Sequence, residues 1–115
     1  MTSPEWKWRY PARLGRVVDG DTVVLNLDMG MTISRSGSYR LYGINTPEHD
    51  APSTEHLTKL LTDAQFIEAE TYKKDKYGRY LVNIFVRTYD STEWLNVNQN
   101  MIDSGFAVEY FGGKR

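Results

Sequence analysis

The chain has 115 residues, with 14 Lys and Arg against 15 Asp and Glu, and no cysteine. That length suits one domain able to bury roughly two-thirds of the surface it exposes when unfolded, and the missing cysteines exclude disulfides, thiolate chemistry and cysteine-ligated zinc. A net charge of −1 leaves no overall basic surplus, so a grip on phosphates must come from a local cluster.

Residues 10–18 read as a first strand, with Pro11 tolerated near its start or on an edge. Asp19-Gly20 stands between two β-branched runs, 16–18 and 22–27, which is a hairpin signal; residues 22–28 form the second strand. Gly30 and the 34–38 run, Ser-Arg-Ser-Gly-Ser, mark turns. Residues 39–44 are a third strand, stopped by Asn45-Thr46-Pro47-Glu48 because proline cannot donate to a ladder. Ser53 or Thr54 can cap a helix running to about Ala64, with Leu57, Leu60 and Leu61 on one face. Residues 66–73 and 80–86 give strands four and five. Residues 94–104 carry Leu95, Val97, Met101 and Ile102 at helical spacing and end at Gly105. Residues 106–110 are a last extended piece.

This order predicts an α+β, mainly β fold: a five-stranded barrel of the oligonucleotide/oligosaccharide-binding (OB) type, with one helix between strands three and four and a short C-terminal helix. Residues 1–115 read as a single domain, with 1–9 and 112–115 as loose tails. No apolar run follows Met1, so no signal peptide or membrane span is expected, and the default location is cytoplasmic. No long hydrophobic stripe is left after the core is assigned, which predicts a monomer with no obligate protein partner.

Polar groups gather at the predicted strand ends. Asp21 sits at the first hairpin, Arg40 in the third strand, and Asn45, Thr46 and Glu48 at that strand's exit. Lys76, Tyr77 and Arg79 lie in the turn before the fifth strand. In a closed barrel such ends can converge on one rim. Calcium takes roughly six to eight oxygen ligands, and Asp21, the Asn45 side chain and the Thr46 carbonyl can supply three. Two guanidiniums can grip phosphate oxygens in a forked manner and stabilise charge that builds there. Glu48 can accept a proton from the attacking water or orient it. The reaction class this points to is metal-assisted phosphodiester hydrolysis.

Plainer readings stand beside it. Asp19 and Asp21 can simply shape a turn, Arg40 can be a surface pair partner, and Glu48 after Pro47 can serve helix entry. Lys73, Lys74, Lys76 and Arg79 around Asp75 can be a solvated basic turn. His49 and His56 fit no usual zinc spacing. Trp94, Leu95, Met101 and Ile102 suit a core, while Tyr77, Tyr110 and Phe111 can stack on bases or pack.

Asp19-Gly20-Asp21-Thr22, Arg40-Leu-Tyr-Gly-Ile-Asn45-Thr46-Pro47-Glu48 and Asp75-Lys76-Tyr77-Gly78-Arg79 resemble, in order and spacing, the three signature segments of the staphylococcal nuclease (thermonuclease) family. The likeness runs from about Arg13 to Tyr110 and takes in Asn100-Met-Ile-Asp-Ser-Gly-Phe-Ala. It implies a calcium-dependent nuclease on an OB-type barrel, cutting single-stranded DNA or RNA to leave 3′-phosphates. By position, Asp21 resembles the metal-binding aspartate and Thr46 the residue offering a backbone carbonyl to calcium. Arg40 and Arg79 resemble the catalytic arginines, and Glu48 the glutamate that positions or deprotonates water. Lys76 and Tyr77 resemble residues that contact the nucleotide's phosphate. Two departures stand out: Asn45 replaces a second metal-binding aspartate, and the chain ends at Arg115, before the third helix of longer members. The rival function is a noncatalytic OB-type module that binds single strands; a purely protein-binding module fits the basic turn less well.

Overall fold

Along β2 (Thr22–Asp28) every second side chain is hidden: Val23, Leu25 and Leu27 are buried, while Val24 and Asn26 face outward. The same period-2 pattern gives β6 (Tyr80–Arg87) its buried Val82, Ile84 and Val86, and a strand with one apolar face must fold that face onto something. The computed structural model describes residues 8–47 and 51–110. Around those two strands it adds β1 (Trp8–Asp19), β3 (Ser34–Leu41), β4 (Ile44–Asn45), α1 (Ala51–Thr62), β5 (Phe66–Lys74), β7 (Leu95–Asn96), α2 (Val97–Asp103) and β8 (Val108–Glu109).

The five long strands lie in the order β3-β2-β1-β5-β6, and a parallel pairing of β3 with β6, Tyr39↔Tyr80 to Leu41↔Val82, closes them into a barrel. The fold is therefore the expected OB-type barrel, mainly β, with two helices. β1 serves two neighbours: its first half pairs with β5 and its second with β2, and register shifts at Leu14/Arg16 and Val17/Asp19 let it turn the corner. The interior is filled by Leu25, Leu41 and Ile84, with Leu57 and Leu61 of α1 and Met101 of α2 packed into the same cluster. Among the described residues no helix is long and apolar enough to cross a membrane.

Several local expectations shift. The 34–38 run is strand, not turn: Ser34, Ser36 and Ser38 face solvent on β3, and the reversal is made upstream, where Gly30, Met31 and Thr32 take φ of 84°, 53° and 62°. Small polar residues look like a loop when the buried partners of their strand, Tyr39 and Leu41, come only at its end. In the first hairpin Asp19 pairs with Thr22, so the connecting residues are Gly20 and Asp21 rather than Asp19 and Gly20. α1 begins at Ala51, ahead of Ser53 and Thr54; buried Ser53 instead donates its hydroxyl to the Phe106 carbonyl at 2.8 Å. Trp94 and Leu95 precede α2, which starts only after Asn96 caps it by accepting from the Gln99 N–H at 3.1 Å. Leu95 is exposed, and Trp94 lies under the guanidiniums of Arg9 and Arg87. Trp8 and Arg9 belong to β1 rather than to a tail.

Candidate active site

The β1–β2 hairpin tip rests on the start of α1 and on the segment after β4, and glycine is required there for space. A Cβ on Gly20 would lie 2.8 Å from Ser53 Cβ and 2.9 Å from Thr46 Oγ1. This close approach presses Asp21 against the chain that leaves β4. Its Oδ2 accepts from the Thr46 N–H at 3.3 Å, and its Oδ1 accepts from the Thr22 hydroxyl at 3.1 Å. Thr46 is itself buried, and its hydroxyl finds no hydrogen-bond partner among the described residues.

Arg40 reaches the same carboxylate because β2 and β3 put it opposite Thr22. Its Nη2 lies 3.5 Å from Asp21 Oδ2 and 3.0 Å from Asn45 Oδ1, while Nη1 donates to the Leu41 and Ile44 carbonyls at 3.2 and 3.1 Å. The Arg40 and Asp21 side chains are only 14% and 13% exposed, so this guanidinium is fixed in direction before any ligand arrives. Tyr110 lies over it, with its ring centroid 5.7 Å from Cζ.

Arg79 comes from the other side of the barrel seam, immediately before β6. Its Nε and Nη2 each lie 2.9 Å from Asp75 Oδ2, and its Nη1 donates to Thr22 Oγ1 at 3.4 Å. Thr22 bonds Asp21 in turn, so one hydroxyl connects Arg79 to the carboxylate that Arg40 also touches. Asp75 is the hub of this turn, its Oδ1 accepting from the backbone N–H groups of Tyr77 and Arg79 at 2.8 and 2.9 Å. Burial pushes the Asp75 carboxyl up, but those two N–H bonds and the Arg79 charge outweigh it and hold the group below its usual range. Gly78 makes the turn possible with φ 86°.

Five of the expected residues, Asp21, Arg40, Asn45, Thr46 and Arg79, thus meet at one rim. Lys76 and Tyr77 lie on the exposed turn beside it, with Lys76 Nζ and Arg79 Cζ each 5.5 Å from the Tyr77 ring centroid. Glu48 and His49 fall outside the described residues. His56 is a packing residue, its Nε2 2.8 Å from Asn100 Oδ1 and its ring stacked on Phe106. Asp75 and Thr22 carry the arginine but had no role in the sequence reading. An aspartate four residues ahead of an arginine across a glycine turn was the available signal.

The oxygens able to hold a metal are those of Asp21, the Asn45 amide and the Thr46 carbonyl, a hard, all-oxygen set that fits calcium or magnesium better than a softer ion. It carries few charges: among the described residues no three His, Asp or Glu side chains gather on one point. Tyr72, stacked on Tyr42 with ring centroids 4.4 Å apart, is no rival base. Burial first, then the neighbouring Glu70, push its hydroxyl up to about 12, so it keeps its proton at neutral pH.

A family model described as staphylococcal nuclease homologue matches residues 38–115. An uncharacterized protein of Methanocaldococcus jannaschii is 28% identical over 130 aligned positions, covering 88% of this chain and 59% of that protein. The chain therefore spans about three-fifths of the length of that curated relative.

Proposed function

The chain belongs to the family of staphylococcal nuclease homologues, and from that premise we propose that it is a calcium-dependent nuclease hydrolysing single-stranded or unpaired DNA or RNA to 3′-phosphates. The observation that carries the reading is that Arg40 reaches one carboxylate oxygen of Asp21 directly while Arg79 reaches the other through the Thr22 hydroxyl. A binding module needs positive charge near a phosphate; it does not need two guanidiniums each braced by a carboxylate.

In the proposed reaction water attacks phosphorus and the bond to the 5′-oxygen breaks, the departing oxygen taking a proton from solvent, which leaves a 3′-phosphate and a 5′-hydroxyl. Arg40 and Arg79 hold the non-bridging oxygens and meet the charge that accumulates there. Both are preorganised by the bonds above, so little reorientation is required at the barrier. Glu48 accepts the proton of the attacking water. Asp21, the Asn45 amide and the Thr46 carbonyl would hold calcium, which supplies Lewis-acid polarisation of the phosphate. Lys76 and Tyr77, on the exposed turn, contact the flanking phosphate.

The rival is a noncatalytic single-strand binder, and one observation favours it: Asn45 stands where a second carboxylate would strengthen the metal site. Release of acid-soluble nucleotides from denatured DNA, with calcium and then with chelator, separates the two. Cleavage should need calcium, and Arg79→Ala and Glu48→Ala should each slow it by on the order of 10²–10³. Binding without cleavage in calcium, unaltered by either substitution, would hand the case to the rival.

A further inference from the structure

The outer face of β1, β2 and β3 carries a ladder that the reading above does not use. Antiparallel partners share a face, and the register places Arg13 beside Asn26 and Ser36, then Arg16 beside Val24 and Ser38, then Arg40 beside Thr22. Arg13, Arg16, Ser36 and Ser38 are all exposed. Neither Arg13 nor Arg16 has an ion-pair or hydrogen-bond partner among the described residues. The nearest acids are turned to other partners: Asp19, on the rung of Thr22 and Arg40, accepts from the Gly20 N–H, Asp28, on the rung of Ser34, accepts from the Gly30 N–H, each at 2.9 Å, and Glu68 is held by Arg9. In a chain whose acids outnumber its bases by one, two exposed arginines on the rungs of Asn26 and Ser36 and of Val24 and Ser38, neither rung holding a carboxylate, are segregated charge; the last rung, Thr22 and Arg40, also carries Asp19.

We infer that this face, from Arg13 and Ser36 through Arg16 and Ser38 to Arg40, is a track for the sugar-phosphate backbone of the single strand whose scissile phosphate lies at Arg40. The inference rests on the nuclease reading for the position of that phosphate. Ser36 to Arg40 spans about 13 Å along a strand, which is more than one nucleotide's reach. Short of Arg40, over which Tyr110 lies, the residues of these rungs carry no aromatic ring, so they offer charge and hydroxyl donors to phosphates rather than platforms to bases, and their grip is sequence-tolerant and salt-dependent. The outer face of β5 and β6 offers less. Arg9 there is stacked over Phe85 and Trp94, and Arg87 over Phe66 and Trp94.

The test is fluorescence anisotropy of the full chain with labelled single-stranded DNA of about a dozen nucleotides and with a labelled dinucleotide, over a salt series, in calcium and in chelator. The longer strand should bind more tightly than the dinucleotide. The double variant Arg13→Ala/Arg16→Ala should weaken the longer strand about tenfold and flatten its log–log salt slope by about 1.4, at ~0.7 per phosphate contact on a single strand. Ser38→Glu, which places an acid in the track, should weaken it in the same direction. Equal affinity for the two lengths, or an unchanged slope in the double variant, overturns the track. Titrating Arg79→Ala alongside reads binding without turnover. A chain that never cleaves yet shows the length and slope effects would sink the nuclease reading and leave the track standing.

Discussion

In the proposed metal site, Asn45 sets how strongly a cation is held. Its amide oxygen is 3.0 Å from Arg40 Nη2, and Asp21 Oδ2 is 3.5 Å from the same nitrogen, so a divalent ion drawn to these oxygens competes with a guanidinium. Asn45→Asp adds a full negative charge, which attracts a doubly charged ion more than a singly charged arginine. We expect calcium to bind on the order of tenfold tighter, ~1.4 kcal/mol, by titration calorimetry; equal affinities would remove Asn45 from the ligand set. Asp75 acts at the other arginine. Asp75→Asn keeps an oxygen for the Tyr77 and Arg79 N–H groups but gives up the charge that holds Arg79 by two nitrogens. Because its folded pKa lies below the unfolded value, about 3.9 for aspartate, the charged group's stabilisation is present in full above that value and is lost as pH falls through the folded pKa. The gap in melting temperature between wild type and Asp75→Asn should therefore be open at neutral pH and close on acidification below about pH 4. A gap that stays constant would mean the charge contributes nothing to holding the turn.

Elements that alternate or repeat strongly were legible, and those held by single polar contacts were not. β2 and β6 announce themselves through period-2 burial, and α1 through Leu57 and Leu61. β3 hid its first half because Ser34, Ser36 and Ser38 bury nothing. The site was legible as a set of residues, since Asp21, Arg40 and Asn45 carry unusual side chains at strand ends. Its braces were less so: Thr22 meets Arg79 only when β3 and β6 pair, while Asp75 four residues ahead of Arg79 was a local signal left without a role. Asn98 shows the same limit at α2. It is buried, its Nδ2 donates to the Tyr42 and Val82 carbonyls at 2.9 and 3.0 Å, and its Oδ1 accepts from the Ile84 N–H at 3.1 Å. One side chain thus ties α2 to β6 and to the turn after β3. Asn98→Ala would take the Asn98 bond from the Ile84 N–H and from the Tyr42 carbonyl, at about 1–3 kcal/mol for a buried group left unpaired, while the Val82 carbonyl still accepts from the Tyr42 N–H at 2.8 Å. A loss of roughly 2 kcal/mol corresponds to a melting temperature about 8 °C lower; an unshifted transition in a thermal scan would show that α2 is fastened elsewhere.

At the scale of the whole molecule, the two arginines come from chain segments that meet only when the parallel β3–β6 pairing closes the barrel. The unfolded chain holds no such pair, so a ligand that needs both binds the folded state alone and stabilises it by mass action. At one hundred times its dissociation constant the effect is about 2.7 kcal/mol, which shifts the melting temperature of a domain this size by roughly 10 °C. The shifts should be separable by residue. Calcium alone should raise the melting temperature modestly in wild type and more in Asn45→Asp, because the ligands proposed for it are at Asp21, Asn45 and Thr46. A dinucleotide, too short to reach Arg13, should add a further rise in calcium that Arg79→Ala largely removes while the calcium shift persists. If the dinucleotide raises wild type and Arg79→Ala equally, the phosphate is held by Arg40 or the basic turn without Arg79, and the seam between β3 and β6 does not assemble the site.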